Sequence, residues 1–105
     1  MKLQQGDVLL NRVKSIPKGA TKVKPGNRGY VVAEGEMTGH AHCFEAVAGT
    51  EMFKDSEGNL YMSLLSPQKI KHEEHKHIEV PAGKYKIGIV KEVDPFADEI
   101  HKVRD

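Results

Sequence analysis

The chain has 105 residues and one cysteine, Cys43, which suits a single domain over residues 1–105 and excludes an intrachain disulfide. Its formal net charge is +1, which excludes a strong overall bias toward nucleic acid or an anionic membrane. No apolar run approaches the roughly 20 residues of a membrane helix, and no signal-peptide core follows Met1, so we expect a cytoplasmic protein with no membrane partner.

Most of the chain carries the patterns of short strands. Turn-forming residues recur about every ten residues, as in all-β sandwiches and barrels. We expect a hairpin around the turn at 55–59, and a strand with one buried face where Tyr85, Ile87 and Ile89 alternate with lysine or glycine. The predicted strands are 8–13, 30–34, 40–47, 51–54, 60–65 and 85–89.

The end of the chain has a helical pattern instead. Asp94 can cap a helix that begins at Pro95, and Phe96, Ile100 and Val103 then share one face. We therefore predict an all-β fold, a compact small barrel or sandwich of about six or seven strands, with a short C-terminal helix or an irregular tail docked by its apolar residues. The predicted core is Val8, Leu10, Val32, Phe44, Leu64, Ile87 and Ile89, with Phe96 capping it.

Charge is distributed unevenly along the chain. Residues 1–30 carry seven lysines or arginines against Asp7 alone, whereas residues 31–60 carry six acidic residues against Lys54 alone. One interpretation is an electrostatic footprint for an acidic partner or nucleic acid. The other is that the two segments pair as neighbours in a sheet and that their charges serve solubility. Nucleic acid is therefore an unexpected partner, although the pattern leaves it open.

Five of the six histidines lie in two short stretches. His40 and His42 are two residues apart, so in a strand both side chains point to the same face. In the second stretch two geometries are open: a helical turn brings His72 and His75 together, whereas a strand brings His75 and His77 together. Either geometry adds two imidazoles to the first pair.

Imidazole is the commonest metal-binding side chain and suits several divalent transition metals. We predict a divalent transition-metal site, with zinc as the first expectation and nickel, manganese or iron as alternatives. The predicted ligands are His40, His42, His72 and His75.

The neighbours of these histidines have several possible roles. Glu45, Glu73 and Glu74 are candidates to replace a ligand, to orient a ring, or to act as a base toward bound water. Cys43 is expected to point away from the histidines and to serve as a small buried hydrophobe. The alternative for the second stretch is a solvated charged turn, because residues 71–76 are all polar.

One resemblance is to the cupins. The stretch 35–49 contains an HxH pair and Glu45, and with Pro81-Ala82-Gly83 it looks like a loose cupin pattern. Cupins are small β-barrels that bind a metal through an HxH pair, a glutamate and a later histidine. Lys86 stands where the second cupin motif would carry that histidine, and the spacings around HxH are short. The resemblance implies a metal site whose fourth ligand would come from 72–77.

A broader resemblance covers nearly the whole chain and is to a family of small uncharacterised proteins found in bacterial and phage genomes. It is carried by EGEMTGHAH at 34–42 and HEEH at 72–75, together with residues 6–9, 81–85 and the tail. The resemblance implies that the four histidines of these two motifs outweigh His77. It assigns no activity.

Three functions are consistent with these patterns. The first is a small metal-binding β-barrel protein with a histidine-cluster site. The second is a non-enzymatic, phage-related interaction module whose basic N-terminal third meets an acidic partner or nucleic acid. The third is a cupin-like metal-dependent enzyme. A closed four-histidine site would be structural, whereas three ligands and a bound water could be hydrolytic, so the sequence leaves catalysis open.

Overall fold

The computed structural model describes residues 2–35 and 39–90, which form two antiparallel sheets around one core. In chain order the strands are β1 Lys2–Gln5, β2 Val8–Val13, β3 Thr21–Val23, β4 Tyr30–Glu34, β5 Ala41–Phe44, β6 Thr50–Lys54, β7 Leu60–Leu64, β8 Gln68–Lys71, β9 Ile78–Val80 and β10 Gly83–Ile89. The larger sheet has the spatial order β1-β2-β10-β7-β6-β3, and the smaller sheet has the order β4-β5-β8-β9.

The all-β class is confirmed, but the predicted strand number and the barrel were wrong. The described residues contain ten strands, and both sheets there end in open edges, so they do not close into a barrel. Sequence patterns missed the strands β1, β3, β8 and β9 because each has only three or four residues, too few to show a clear alternation.

The predicted C-terminal helix falls outside the described residues and stays a prediction. The described part of the chain contains no helix, and residues 94–103, where we predicted one, lie outside it. No helix in the described ranges is long and apolar enough to cross a membrane.

Both sheets contribute to the core. Six of the predicted core residues are confirmed as buried: Val8, Leu10, Val32, Phe44, Leu64 and Ile87. The prediction for Ile89 was wrong, because it is 45% exposed. Pairing of β10 with β7 runs only from Gly83 to Lys86, so at Ile89 the strand has a partner only on the side of β2. Phe96 lies outside the described residues.

Three connections bring distant parts of the chain to one end of the sheets. A two-residue turn, Gly6-Asp7, joins β1 to β2, with Gly6 at a positive φ of 57° in the first central position, as a type II′ turn requires. The N–H of Val90, just after β10, donates to the Asp7 carbonyl at 2.8 Å. The segment before β5, with the start of β5 itself, and the loop 72–77 between β8 and β9 lie at the same end. Together they carry the five histidines of the two stretches.

Candidate functional site

Four imidazole rings pack against one another at this end of the molecule. The ring centroids of His42 and His72 are 4.3 Å apart, and those of His72 and His75 are 4.7 Å apart. His42 and His75 stack at 5.7 Å, and His40 meets His72 edge-on at 5.7 Å. These four residues, His40, His42, His72 and His75, are called the histidine cluster below. The structure thus brings together all four predicted ligands.

Strand register explains why the two histidine stretches meet. Strands β5 and β8 are antiparallel, with Cys43 opposite Lys71 and Phe44 opposite Ile70. Continuing that register by one residue places His42 opposite His72, where cross-strand side chains contact each other. In the loop after β8 the i, i+3 pairing of His72 with His75 is the one that forms. The chain bends there without forming a helix.

Gln5 determines which nitrogen of His42 carries the proton. The Gln5 Nε2 group donates to the carbonyls of Ile70 at 3.0 Å and Lys76 at 2.8 Å. Because those carbonyls only accept, the other end of the amide, Oε1, is an acceptor, and it lies 2.9 Å from His42 Nδ1. His42 therefore donates through Nδ1–H, and in the neutral ring Nε2 keeps its lone pair.

His42 is neutral over most of the pH range. The residue is only 5% exposed, and Gln5 beside it is 2% exposed. Burial, followed by the proximity of His72, lowers the pKa of His42 from 6.5 to about 4, although the Asp7 carboxylate acts in the opposite direction. The neutral form is the one that binds metals.

The other rings have different partners. His40 Nδ1 lies 2.6 Å from Glu74 Oε1. His72 Nδ1 accepts the backbone N–H of Glu74 at 3.0 Å and of His75 at 3.3 Å, so the proton of neutral His72 resides on Nε2. Burial, followed by the nearby His75, also lowers the pKa of His72.

Glu73 joins the two histidine stretches from outside. Its Oε1 accepts the backbone N–H of Ala41 at 2.9 Å, and its Oε2 accepts from Arg28 at 2.6 Å. Arg28 also donates to the carbonyl of Gly39 at 3.0 Å. The bond from Ala41 is the main reason that the pKa of Glu73 is lowered. Glu73 therefore positions the segments that carry the ligands.

The remaining sequence candidates lie around the cluster. Glu45 pairs with Lys71. His77 is exposed, and with His72, Glu73 and Cys43 it lines a pocket of about 310 Å³. Burial raises the pKa of the Cys43 thiol, which keeps the thiol protonated near neutrality. As the side chains stand, no three histidine, cysteine, aspartate or glutamate residues of the described ranges are arranged to hold a metal ion.

Comparison with known protein families gives one match that covers most of the chain. A family profile described as a domain of unknown function, DUF8820, matches residues 4–89. The chain belongs to this family. The DUF8820 match spans the β1–β2 turn and both histidine stretches. No curated protein and no solved structure matched the chain.

Sequence reasoning missed three residues of this candidate site. Gln5 orients His42, Gly6 leaves room for the His75 ring, and Asp7 places Oδ1 at 3.5 Å from His42 Nε2. Gln5 is a polar residue that is buried at the end of a strand, and burial of this kind requires hydrogen-bond partners. The burial of Gln5 can be recognised only when it is known which side chains of β1 face the core.

Proposed function

We propose that the histidine cluster binds one divalent transition-metal ion, zinc in the first instance and nickel, manganese or iron as alternatives, and that holding this ion is the function of the domain. Four imidazoles with centroids 4.3 to 5.7 Å apart support the proposal. Two rings that share one zinc ion through bonds of about 2.0–2.1 Å have centroids roughly 5 Å apart.

The observation that carries the proposal is the bond between Gln5 and His42. Metal-binding histidines characteristically donate one ring N–H to a fixed acceptor, which orients the ring and leaves the other nitrogen for the metal. Gln5 supplies that acceptor, and its own amide is held by two backbone carbonyls. Glu74 next to His40 Nδ1 supports the same role for a second ring.

Metal binding requires some rearrangement of the side chains. His72 is the least prepared ligand, because its Nδ1 accepts two backbone N–H groups and its Nε2 carries the proton. Binding through Nε2 requires that proton to move to Nδ1, and binding through Nδ1 displaces the two backbone N–H groups directly, so either route breaks the turn. His42 is the best prepared ligand, because Gln5 holds its proton at Nδ1 and leaves the lone pair of Nε2 available.

The number of protein ligands determines the chemistry. Four histidines around the ion leave no open position and give a structural site, whereas three leave room for a water that the metal can activate for hydrolysis. The cupin-like HxH pair belongs to the second case. A later cupin-type histidine has no counterpart at Lys86.

A phage-related interaction module is the second candidate, supported by the resemblance to small bacterial and phage proteins and by the basic N-terminal third. The contacts of the basic N-terminal third favour the interpretation that its charges pair with the acidic segment that follows it. Lys22 pairs with Glu51, and Arg28 pairs with Glu34 and Glu73. These partners neutralise part of the charge that an acidic ligand would need.

Metal analysis and thermal melting test the metal proposal. We expect tag-free protein to bind about one equivalent of zinc and to melt higher with the ion than with a chelator, since a ligand at 100 times its Kd adds about 2.7 kcal/mol to the free energy of unfolding. The His40→Ala/His42→Ala variant should lose both effects. His77→Ala is the matched control and should keep them. A parent protein that binds none of the four metals contradicts the proposal.

A further inference from the structure

The turn between β1 and β2 places a carboxylate against the histidine cluster. Asp7 Oδ1 lies 3.5 Å from His42 Nε2, and the Asp7 side chain is 63% exposed. A charged N–H···O bond is usually about 2.7–2.9 Å long, so the two atoms are too far apart for a strong bond of that kind. Two ligand atoms on one zinc ion, with bonds of about 2.0–2.2 Å, are roughly 3.4 Å apart at the tetrahedral angle.

The hydrogen bond between His42 and Gln5 makes this contact unusual. The proton of His42 is held at Nδ1 by Gln5, so the lone pair of Nε2 and the carboxylate of Asp7 face each other. This arrangement, with two acceptors facing each other at 3.5 Å, leaves room for a cation that both contact. A metal ion satisfies both groups.

We propose that Asp7 is an oxygen ligand of the metal, so that the centre has mixed nitrogen and oxygen donors and faces solvent on the side of the β1–β2 turn. This inference rests on the proposed metal function. A carboxylate among imidazoles suits zinc, manganese and iron. It also makes His72, whose Nδ1 already accepts two backbone N–H groups, dispensable as a ligand.

Backbone contacts hold the Asp7 turn in place. Gly6 packs against His75, and the carbonyl of Asp7 accepts the N–H of Val90. Asp7 is therefore fixed at its main chain by two elements of the fold, while its carboxylate is left to the cluster. Replacement of this side chain should change the metal site without unfolding the domain.

Titration with Co²⁺, followed by its visible absorption, tests the role of Asp7. Asp7→Asn should weaken Co²⁺ binding by about tenfold or more and shift the absorption bands, because ligand type sets both. Glu57→Gln makes the same charge change in the β6–β7 turn and should leave both unchanged. Identical spectra and affinities for Asp7→Asn and the parent would overturn the role of Asp7 but not the metal site. A parent that binds no Co²⁺, zinc, nickel, manganese or iron would remove the metal site itself.

Nitrogen NMR of the metal-free protein adds a second test. We expect the proton of the His42 ring to lie on Nδ1, where Gln5 accepts it, and the lone pair to lie on Nε2. A proton on Nε2 in the metal-free protein would make the Asp7 contact an ordinary hydrogen bond, and it would overturn the inference.

Discussion

Gly6 lies directly against the imidazole of His75. A Cβ added to Gly6 would be 2.6 Å from His75 Nε2, and the backbone at Gly6 has a φ of 57°, which disfavours other residues. We expect Gly6→Ala to displace the His75 ring. The free energy of unfolding should fall by more than the cost of left-handed backbone strain alone, which is about 1–2 kcal/mol. Chemical denaturation and zinc affinity measure the two effects.

Gly58 is the matched control for this substitution. It has a φ of 88°, but nothing lies within 4 Å of an added Cβ. Gly58→Ala should therefore show the strain alone and leave zinc binding intact. Equal effects of the two variants on stability and metal affinity would contradict the contact with His75.

The buried amide of Gln5 connects the two sheets as well as orienting His42. We expect Gln5→Leu, which keeps the volume, to lower the free energy of unfolding by about 2–4 kcal/mol, because it leaves buried carbonyls and His42 Nδ1 without partners. Metal affinity should fall by about 10–100-fold, the usual effect of losing such a support. The neighbouring Gln4→Leu, which removes one bond to the Gly6 carbonyl, is the control and should have a smaller effect on both.

The stability of the metal-free protein should depend on pH through His42. Its pKa is about 4 in the folded state and 6.5 without the fold, so the unfolded chain binds more protons between these values. The contribution of His42 to the free energy of unfolding is therefore fully present above about pH 6.5 and decreases as the pH falls to about 4. Below that pH it changes no further, and the total loss is about 3 kcal/mol.

Urea denaturation in the presence of a chelator, repeated from neutral to acid pH, tests this dependence. The free energy of unfolding should decrease less with falling pH for the variant His42→Gln than for the parent. For the exposed His77→Gln it should decrease as much as for the parent. If His42→Gln and the parent lost stability in parallel, the assignment to His42 would be wrong.

Glu73 should matter for the metal more than for the fold. Glu73→Ala removes the bonds to Ala41 and Arg28, but both charged groups are partly exposed, at 44% and 40%, so the cost in stability should stay below about 1 kcal/mol. Zinc affinity should fall, because the two ligand segments are no longer joined. Isothermal titration measures this effect. Glu34→Ala, which removes only a 3.4 Å contact with Arg28, should have little effect on either quantity.

Local patterns predicted the class of the fold and the grouping of the histidines. The i, i+2 spacing of His40 and His42 is local and could be read from the sequence, whereas the spacing in 72–77 left the pairs His72/His75 and His75/His77 both open. The meeting of the two stretches depends on the register of β5 with β8, which no local pattern specifies. The Gly6-Asp7 turn lies 35 residues before His42 and could not be connected to it without the fold.

The errors in the predicted core and strands also arise because neighbouring strands, and not local patterns, determine burial and pairing. Ile89 follows the alternation of β10 but lies beyond the end of the β10–β7 pairing, so the sequence pattern continued past the buried part of the strand. The short strand β9 pairs with β8 through only three residue pairs, and its order comes from that partner more than from its own sequence. The metal role of the cluster stays a prediction.

The open edges of the two sheets bear on self-association. Within the described residues the edge strands are β1 and β3 in one sheet and β4 and β9 in the other. Exposed backbone at such edges invites addition of another chain, and charges, bulges and short strands oppose it. Strands β1 and β3 carry exposed Lys2 and Lys22, β4 is irregular between Val31 and Ala33, and β9 has three residues with Glu79 exposed. We therefore expect these edge features to oppose edge-to-edge association of the folded chain, so surface engineering of this domain should leave them in place.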